Sequence, residues 1–158
     1  MARCYVAPIS IGSTTAQIDI FELAAAAGKP FELRGFELSQ TSEVGDAQEE
    51  QLTLVLKYVT GTPTSGSGGG TSTFRPVLPN DVAAGATIET GNTTKLSLGT
   101  SVEVRRFAWN VRQERTFTFT PEFWQVCAAD EHLVLELVAT PADAIAGIVG
   151  WVEIAELV

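Results

Sequence analysis

The stretch Gln51-Leu-Thr-Leu-Val-Leu-Lys-Tyr-Val-Thr60 alternates between apolar and polar side chains and points to the fold class. Successive side chains of an extended chain point to opposite faces, so this alternation predicts a β-strand. One face carries only large side chains, namely Leu52, Leu54, Leu56 and Tyr58. Val55 and Val59 lie on the other face. We therefore predict a strand that is partly covered on both faces.

Similar stretches lie on both sides of this strand. We predict further strands over residues 14–23, 31–40, 102–111, 116–120, 131–140 and 147–158, with looser pairing over 86–98. Within 31–40 the apolar positions change phase at Gly35, which predicts a bulge or a bend at that residue. Residues 121–123 begin with proline and predict a short helical turn.

This succession of short strands predicts an all-β fold. About eight strands suit one antiparallel β-sandwich of jelly-roll type, formed by a single domain over residues 1–158. An immunoglobulin-like sandwich is the alternative, although the Cys-Trp-Cys spacing typical of that class is absent.

The segment 61–73, Gly-Thr-Pro-Thr-Ser-Gly-Ser-Gly-Gly-Gly-Thr-Ser-Thr, interrupts the strand pattern. It has no large apolar side chain to bury, and its glycines give the unfolded chain high backbone entropy. We predict a flexible, exposed loop inside the domain and expect that shortening it would barely change stability. A linker between two domains is the alternative. A phosphate-binding loop is not expected, because no Gly-Lys-Ser/Thr sequence follows the glycines.

Composition limits the partners of the protein. The chain carries a formal net charge of −9, so attraction to nucleic acid is not expected. No apolar run approaches the roughly 20 residues of a membrane-spanning helix, so membrane insertion is not expected either. Charged residues make up 18% of the chain, below the roughly 25% of ordinary soluble domains. A polar but weakly charged surface suits packing against other copies or another protein, and it also occurs in rigid β-domains with no partner.

Basic residues are concentrated in one short segment. It holds Arg105, Arg106, Arg112 and Arg115, and no Lys or Arg follows it, whereas several acidic residues do. We predict that these arginines, together with Trp109, form an interface that orients a partner by charge. In the alternative interpretation they solvate one hairpin and pair with Glu103 and Glu114.

Side chains with catalytic potential are few. His132 is the single histidine; it lies beside acidic residues at the start of a predicted strand, and we expect a polar structural role. Cys127 lies among apolar and acidic residues that raise the pKa of a thiol, so we expect a buried structural cysteine. The sequence leaves open whether Cys4 and Cys127 form one disulfide or none. Because the start lacks the apolar segment of a signal peptide, we expect free thiols.

Two further groups of side chains have both a structural and a functional interpretation. The acidic cluster of Glu43, Asp46, Glu49 and Glu50 does not match a calcium loop, and we expect a solvated turn or an interface contact. The aromatic set comprises Phe107, Trp109, Phe117, Phe119, Phe123 and Trp124. We expect most of it in the core, with Trp109 at a surface or interface, and a sugar-binding groove is the alternative.

Several segments resemble capsid decoration (cement) proteins of tailed bacteriophages, which have β-sandwich folds. They are Asp19-Ile-Phe-Glu22, Gly45-Asp-Ala-Gln-Glu-Glu50, Thr64-Ser-Gly-Ser-Gly-Gly69, Ala108-Trp-Asn-Val-Arg112 followed by Thr120-Pro-Glu122, and Leu133-Val-Leu-Glu-Leu-Val-Ala-Thr-Pro-Ala-Asp143. Trp109 stands where the resemblance leads us to expect Phe. The resemblance implies a virion-surface protein made in the host cytoplasm, a homotrimer, and the major capsid protein as partner.

We therefore expect a non-enzymatic structural protein with no cofactor and no metal. Burial of apolar surface at the subunit contacts would supply the affinity, and the arginines would set the orientation. The alternative function is a carbohydrate- or receptor-binding module, in which Trp109 or Trp124 stacks against a surface glycan.

Overall fold

The computed structural model describes residues 2–41 and 50–157. Within these residues the chain forms twelve strands. They are β1 (Arg3–Ile11), β2 (Asp19–Ala24), β3 (Phe31–Gln40), β4 (Gln51–Thr60), β5 (Gly70–Ser72), β6 (Arg75–Pro76), β7 (Thr87–Asn92), β8 (Thr100–Asn110), β9 (Arg115–Thr118), β10 (Gln125–Cys127), β11 (His132–Leu137) and β12 (Ile148–Glu156). A 3-10 helical turn covers Pro121–Phe123. The strands pair antiparallel in two sheets, which confirms the predicted antiparallel β-sandwich, while the jelly-roll topology stays a prediction.

The two sheets each contain six of the described strands. The first sheet has the order β10-β3-β12-β1-β6, and β9 pairs with β3 beside β10. The second sheet has the order β5-β7-β2-β11-β4-β8. β8 is therefore an edge of the second sheet, and β9 and β10 form an edge of the first.

The inner faces of both sheets supply one hydrophobic core. Phe36 lies at the centre of an aromatic cluster, with its ring centroid 5.5 Å from Phe21, 6.0 Å from Phe107 and 4.8 Å from Phe117. Phe21 and Phe107 belong to the second sheet, whereas Phe36 and Phe117 belong to the first. Aromatic pairs add about 0.5–1.5 kcal/mol each beyond their buried area. This cluster therefore joins the sheets on the side where β8 and β9 meet.

A bulge in β3 confirms the predicted irregularity near Gly35. Glu153 of β12 pairs with Gly35, and the next residue, Ile154, pairs with Leu33, so Arg34 is the extra residue. Gly35 is required here by close approach of β9, since a Cβ at this position would lie 2.6 Å from the backbone oxygen of Phe117. Because of the bulge, Arg34 and Gly35 both lie on the outer face of the first sheet while Phe36 returns to the core, a placement that matters below.

Most residues of the segment 61–73 are exposed, as predicted, but its backbone also pairs with other parts of the chain. Thr64 pairs with Ser97 and Ser67 pairs with Thr94, and residues 70–72 form β5 against β7. We call residues 61–69 and 93–99 the covering segments, because they lie over the outer face of the second sheet. Gly66 is buried there, and a Cβ on it would lie 2.5 Å from the backbone oxygen of Thr94. The glycines thus allow close packing of backbone, which composition alone does not reveal.

Candidate interaction surface

The candidate surface lies where the edge strand β8 of the second sheet approaches β9 and β10 of the first. The guanidinium carbon of Arg105 lies 5.4 Å from the ring centroid of Phe119 and 5.0 Å from that of Phe123. The guanidinium carbon of Arg115 lies 5.1 Å from the ring centroid of Phe117. We call these five residues the Arg–Phe surface. Phe123 is 56% exposed, so this surface offers a large apolar ring with a cation beside it.

A bulge in β8 separates the two neighbouring arginines. Arg105 pairs with the buried Leu56, whereas Glu103 pairs with Lys57 of the outer face, which leaves Val104 as the extra residue. Arg106 therefore lies on the outer face with Glu103. Its Nε and Nη2 atoms donate to Glu103 at 3.0 Å and 2.7 Å.

The alternative interpretation was that the arginines pair with Glu103 and Glu114, and the ion pair between Arg106 and Glu103 confirms it for one arginine. Hydrogen bonding to Arg106 lowers the pKa of Glu103. Arg105 and Arg106 thus have different roles, although they are adjacent in sequence: Arg105 contributes to the Arg–Phe surface and Arg106 to an exposed ion pair.

Trp109 does not belong to the interface that the sequence predicted. The side chain is fully buried in the core, because Trp109 pairs with Leu52 on the inner face of the second sheet. Its Nε1 donates to the backbone oxygen of Gln113 at 3.0 Å. The surface placement of Trp109 was therefore wrong, and a stacking role for this ring is not available. Arg112 is exposed in the turn after β8, where its backbone N–H donates to Asn110 Oδ1 at 3.0 Å.

Two of the acidic residues that follow Arg115, Glu136 and Glu156, have partners within the chain. Glu136 lies on the outer face of the second sheet and forms ion pairs with Lys95 and, at 2.6 Å, with Lys57. Glu156 is buried, and its Oε1 accepts the backbone N–H groups of Gly85 and Ala86. These two carboxylates are neutralised or hydrogen-bonded inside the chain, so they offer no surface to a basic partner.

His132 has the expected structural role, in a setting that the sequence did not reveal. Its Nδ1 lies 2.6 Å from Oε1 of Glu22, a nearly completely buried side chain. Glu22 Oε2 accepts the N–H of Gly66 at 2.9 Å and the side-chain amide of Asn92 at 3.2 Å. Burial opposes ionisation of Glu22, but the hydrogen bonds from His132 and Gly66 outweigh it and hold the pKa of Glu22 below its ordinary value.

Asp19 holds the other covering segment in the same way. Its Oδ2 accepts the backbone N–H of Leu96 at 2.8 Å, whereas Oδ1 has no hydrogen-bond partner among the described residues. Burial raises the pKa of Asp19 to about 6. We call Asp19, Glu22, Lys57, His132 and Glu136 the polar layer. It binds the covering segments to the second sheet, and its sequence signal was the pair of acids inside the otherwise apolar strand β2.

Among the described residues no comparable segment hydrogen-bonds to acids on the outer face of the first sheet, and this face contains a depression of about 210 Å³. The lining residues include Cys4, Arg34, Gly35, Trp124, Trp151 and Glu153. The Arg34 guanidinium carbon lies 3.1 Å from the centroid of the Trp124 ring. Sequence reasoning missed Arg34 and Trp151, and the bulge predicted at Gly35 was the signal that could have drawn attention to Arg34.

Both cysteines are free. Cys127 is buried, and desolvation raises the pKa of its thiol to about 12, which confirms the expected buried structural cysteine. Of the acidic cluster, Glu43, Asp46 and Glu49 lie outside the described residues. Glu50 is described, and its Oε1 accepts the backbone N–H of Asp143 at 2.8 Å.

No family model, no curated protein and no solved structure matches this chain. Over residues 2–41 and 50–157, no group of three or more His, Cys, Asp and Glu side chains is placed to hold a metal ion. The described part of the chain also contains no helix that is long and apolar enough to cross a membrane.

Proposed function

We propose that the protein is a non-enzymatic structural protein of a tailed-phage virion. It decorates the capsid surface as an oligomer, and the major capsid protein is its partner. The segments that resemble capsid decoration proteins follow one another along most of the chain. The antiparallel β-sandwich agrees with the fold that this resemblance implies.

The exposed ring of Phe123 carries this proposal. An aromatic side chain that is 56% exposed gains free energy when a partner covers it, by about 25 cal/mol for each Å² of apolar area. Arg105 lies beside that ring, and its planar guanidinium suits a desolvated contact. Arginine and aromatic residues are enriched where protein interfaces gain most of their affinity.

The charge of the chain favours association through this surface. The net charge is −9, so an approaching copy is mainly acidic, whereas Arg105 and Arg115 make the Arg–Phe surface basic. A contact between a basic surface of one copy and a different, acidic surface of the next is heterologous, and such contacts form a ring when the rotation between copies closes and an open filament when it does not. A trimer is the ring that the resemblance implies.

Light scattering after gel filtration tests the oligomer. We expect the mass of a trimer of the 16.8 kDa chain at low salt, and partial dissociation at high salt, because exposed charges are screened beyond about 8 Å. A 16.8 kDa species at all salt concentrations would contradict the oligomer.

Pelleting with capsids, assembled from the capsid protein of the same genome, tests the decoration. Arg105→Glu should greatly reduce co-pelleting, because it places a carboxylate beside Phe119 and Phe123. Arg106→Glu is the matched control, with the same charge change at the adjacent residue of the outer face, and should co-pellet more fully. If both variants co-pellet with capsids as fully as the parent does, the Arg–Phe surface is not part of the contact with the capsid. No co-pelleting of the parent would overturn the decoration function.

A further inference from the structure

The depression on the outer face of the first sheet has the composition of a ligand site. Gly35 is one of its lining residues and lies between Glu153 of β12 and Thr118 of β9 in the pairing of the strands. Gly35 contributes no side chain to the depression, and the backbone of β9 lies close against this glycine. Arg34, Trp124 and Trp151 are among the residues that surround the depression.

Both indole rings around the depression are held in place by hydrogen bonds. Trp124 Nε1 donates to the backbone oxygen of Phe119 at 2.8 Å. Trp151 Nε1 donates to Glu37 Oε2 at 3.1 Å. The Arg34 guanidinium already covers a face of Trp124, so Trp151 is the ring that offers an apolar face to a ligand. A fixed ring also loses little conformational entropy on binding.

The charged groups of the depression supply hydrogen-bonding capacity of both kinds. Arg34 Nη2 donates a hydrogen bond to Glu32 Oε2 at 2.7 Å, and 20% of the Arg34 side chain remains exposed. Its Nε is buried without a hydrogen-bond partner among the described residues. Within that same part of the chain, the Glu153 carboxylate is half-buried and accepts no side-chain hydrogen bond.

We propose that this depression binds one neutral sugar ring. An unpaired carboxylate accepts hydrogen bonds from hydroxyl groups, and a guanidinium donates to hydroxyl oxygens. The positive charge of Arg34 and the negative charge of Glu153 oppose each other, so neither an anion nor a cation is favoured. The Trp151 indole suits the apolar C–H face of a sugar. The volume, about 210 Å³, is below the roughly 300–1,000 Å³ of sites for drug-sized ligands and suits a single ring.

The contrast with the second sheet argues against a merely structural role for these residues. There, the acids of the outer face are satisfied by backbone and by cationic side chains of the same chain. The acid at Glu153 is left without such a partner in the described residues. A half-buried acceptor without a partner is suited to a ligand that brings hydroxyl donors.

Two experiments distinguish a free monosaccharide from the terminal ring of a larger glycan. Tryptophan fluorescence is titrated with glucose, galactose, mannose and N-acetylglucosamine at millimolar concentrations, and the labelled protein is applied to a glycan array. We expect saturable quenching by at least one of these sugars. Array signals on glycans that end in the same sugar would identify a surface glycan as the source, whereas quenching without array signals would identify the free sugar.

Matched variants locate the site. Glu153→Gln should weaken binding by at least about tenfold, because a hydrogen bond to a charged group is lost. Glu103→Gln makes the same change on an exposed acid of the other sheet and should bind as the parent does. Trp151→Ala should abolish binding while the far-ultraviolet circular dichroism stays that of the parent. Absence of both quenching and array signals, or equal binding by Glu153→Gln and the parent, would overturn the proposal.

The proposed sugar site and the proposed decoration function can be tested independently of each other. Trp151 and Glu153 do not belong to the Arg–Phe surface, so Trp151→Ala should still co-pellet with capsids. Loss of sugar binding with retained co-pelleting supports two distinct surfaces. Loss of co-pelleting in Trp151→Ala would contradict the separate assignment.

Discussion

The outer faces of the two sheets differ in what covers them. On the second sheet, the covering segments place their own backbone over the acids of β2, with Gly66 bound to Glu22 and Leu96 bound to Asp19. On the first sheet, Trp151 and Glu153 lie around an open depression. Both faces carry acidic side chains, but Asp19 and Glu22 of the second sheet are enclosed by the chain itself, whereas Glu153 of the first sheet lies at the open depression.

This difference separates stability from binding within one small fold. A buried carboxylate must be hydrogen-bonded or paired, since an unpaired charge away from water is costly. The polar layer meets that demand with His132, Lys57 and backbone N–H groups, and so fixes the covering segments. The first sheet retains exposed hydrogen-bonding groups, which is the condition for recognising another molecule.

The largest effect should come from removing an acid of the polar layer. Glu22→Ala deprives the side chain of His132, the amide of Asn92 and the N–H of Gly66 of their acceptor, and we expect a loss of about 3–5 kcal/mol. Glu153→Ala removes an acid from the open face and should change stability by less than about 0.5 kcal/mol. Urea unfolding measures the free energy of unfolding of both variants and of the parent. Similar losses in the two variants would show that the two faces are not different.

A smaller effect should follow from adding one methyl group to a covering segment. In Gly66→Ala the new Cβ meets the backbone oxygen of Thr94, and we expect a loss of about 1–3 kcal/mol. Gly70→Ala is the matched control, because no atom lies within 4 Å of a Cβ there. Thermal unfolding measures both variants. If Gly66→Ala is no less stable than Gly70→Ala, the segment is not packed as described.

The pH dependence of stability should reveal the state of Asp19. Its pKa is raised from 3.8 to about 6 by burial, so the folded chain holds this proton more tightly than the unfolded chain does. The resulting contribution to stability is fully present below pH 3.8 and is lost as the pH rises through about 6. Glu22 acts in the opposite direction at lower pH, since its pKa lies below the ordinary 4.5.

Asp19→Asn removes the titrating group while keeping an oxygen for the N–H of Leu96. We expect the stability of this variant not to decline between about pH 4 and pH 6. Relative to the parent, its free energy of unfolding should therefore rise by on the order of 1 kcal/mol across that range. Urea unfolding at several pH values within the window gives the two profiles. Parallel profiles would show that Asp19 is not buried as a carboxylate of raised pKa.

The strands with clear alternation could be predicted from the sequence. The predicted 31–40 and 51–60 are the bounds of β3 and β4, and the bulge at Gly35 followed from the change of phase. β2 begins at Asp19, later than predicted, and β1 was missed. In β1, Pro8 interrupts the usual strand composition; it is tolerated because β6 pairs only with Tyr5 and Val6 on that side.

The candidate sites depend on contacts between residues that are distant in the sequence. Arg34 meets Trp124 and lies near Trp151 only because β3 pairs with β12 and the chain returns through β9 and β10. The burial of Trp109 follows from its pairing with Leu52, which alternation within β8 cannot reveal. Glycine composition indicates backbone entropy in the unfolded chain, but not whether another strand approaches closely. The covering segments were missed for that reason.

Amide hydrogen exchange tests the central claim most directly, namely that the glycine-rich segment is a packed cover of the second sheet. We predict that the amides of Gly66 and Leu96 exchange about as slowly as those of β2, because both donate to buried carboxylates. The backbone amide of Gly70 lies in the short edge strand β5 and serves as the internal comparison for a less protected glycine. Exchange of Gly66 and Leu96 at the rate of an unstructured peptide would contradict the account, since the second sheet would then be as open as the first.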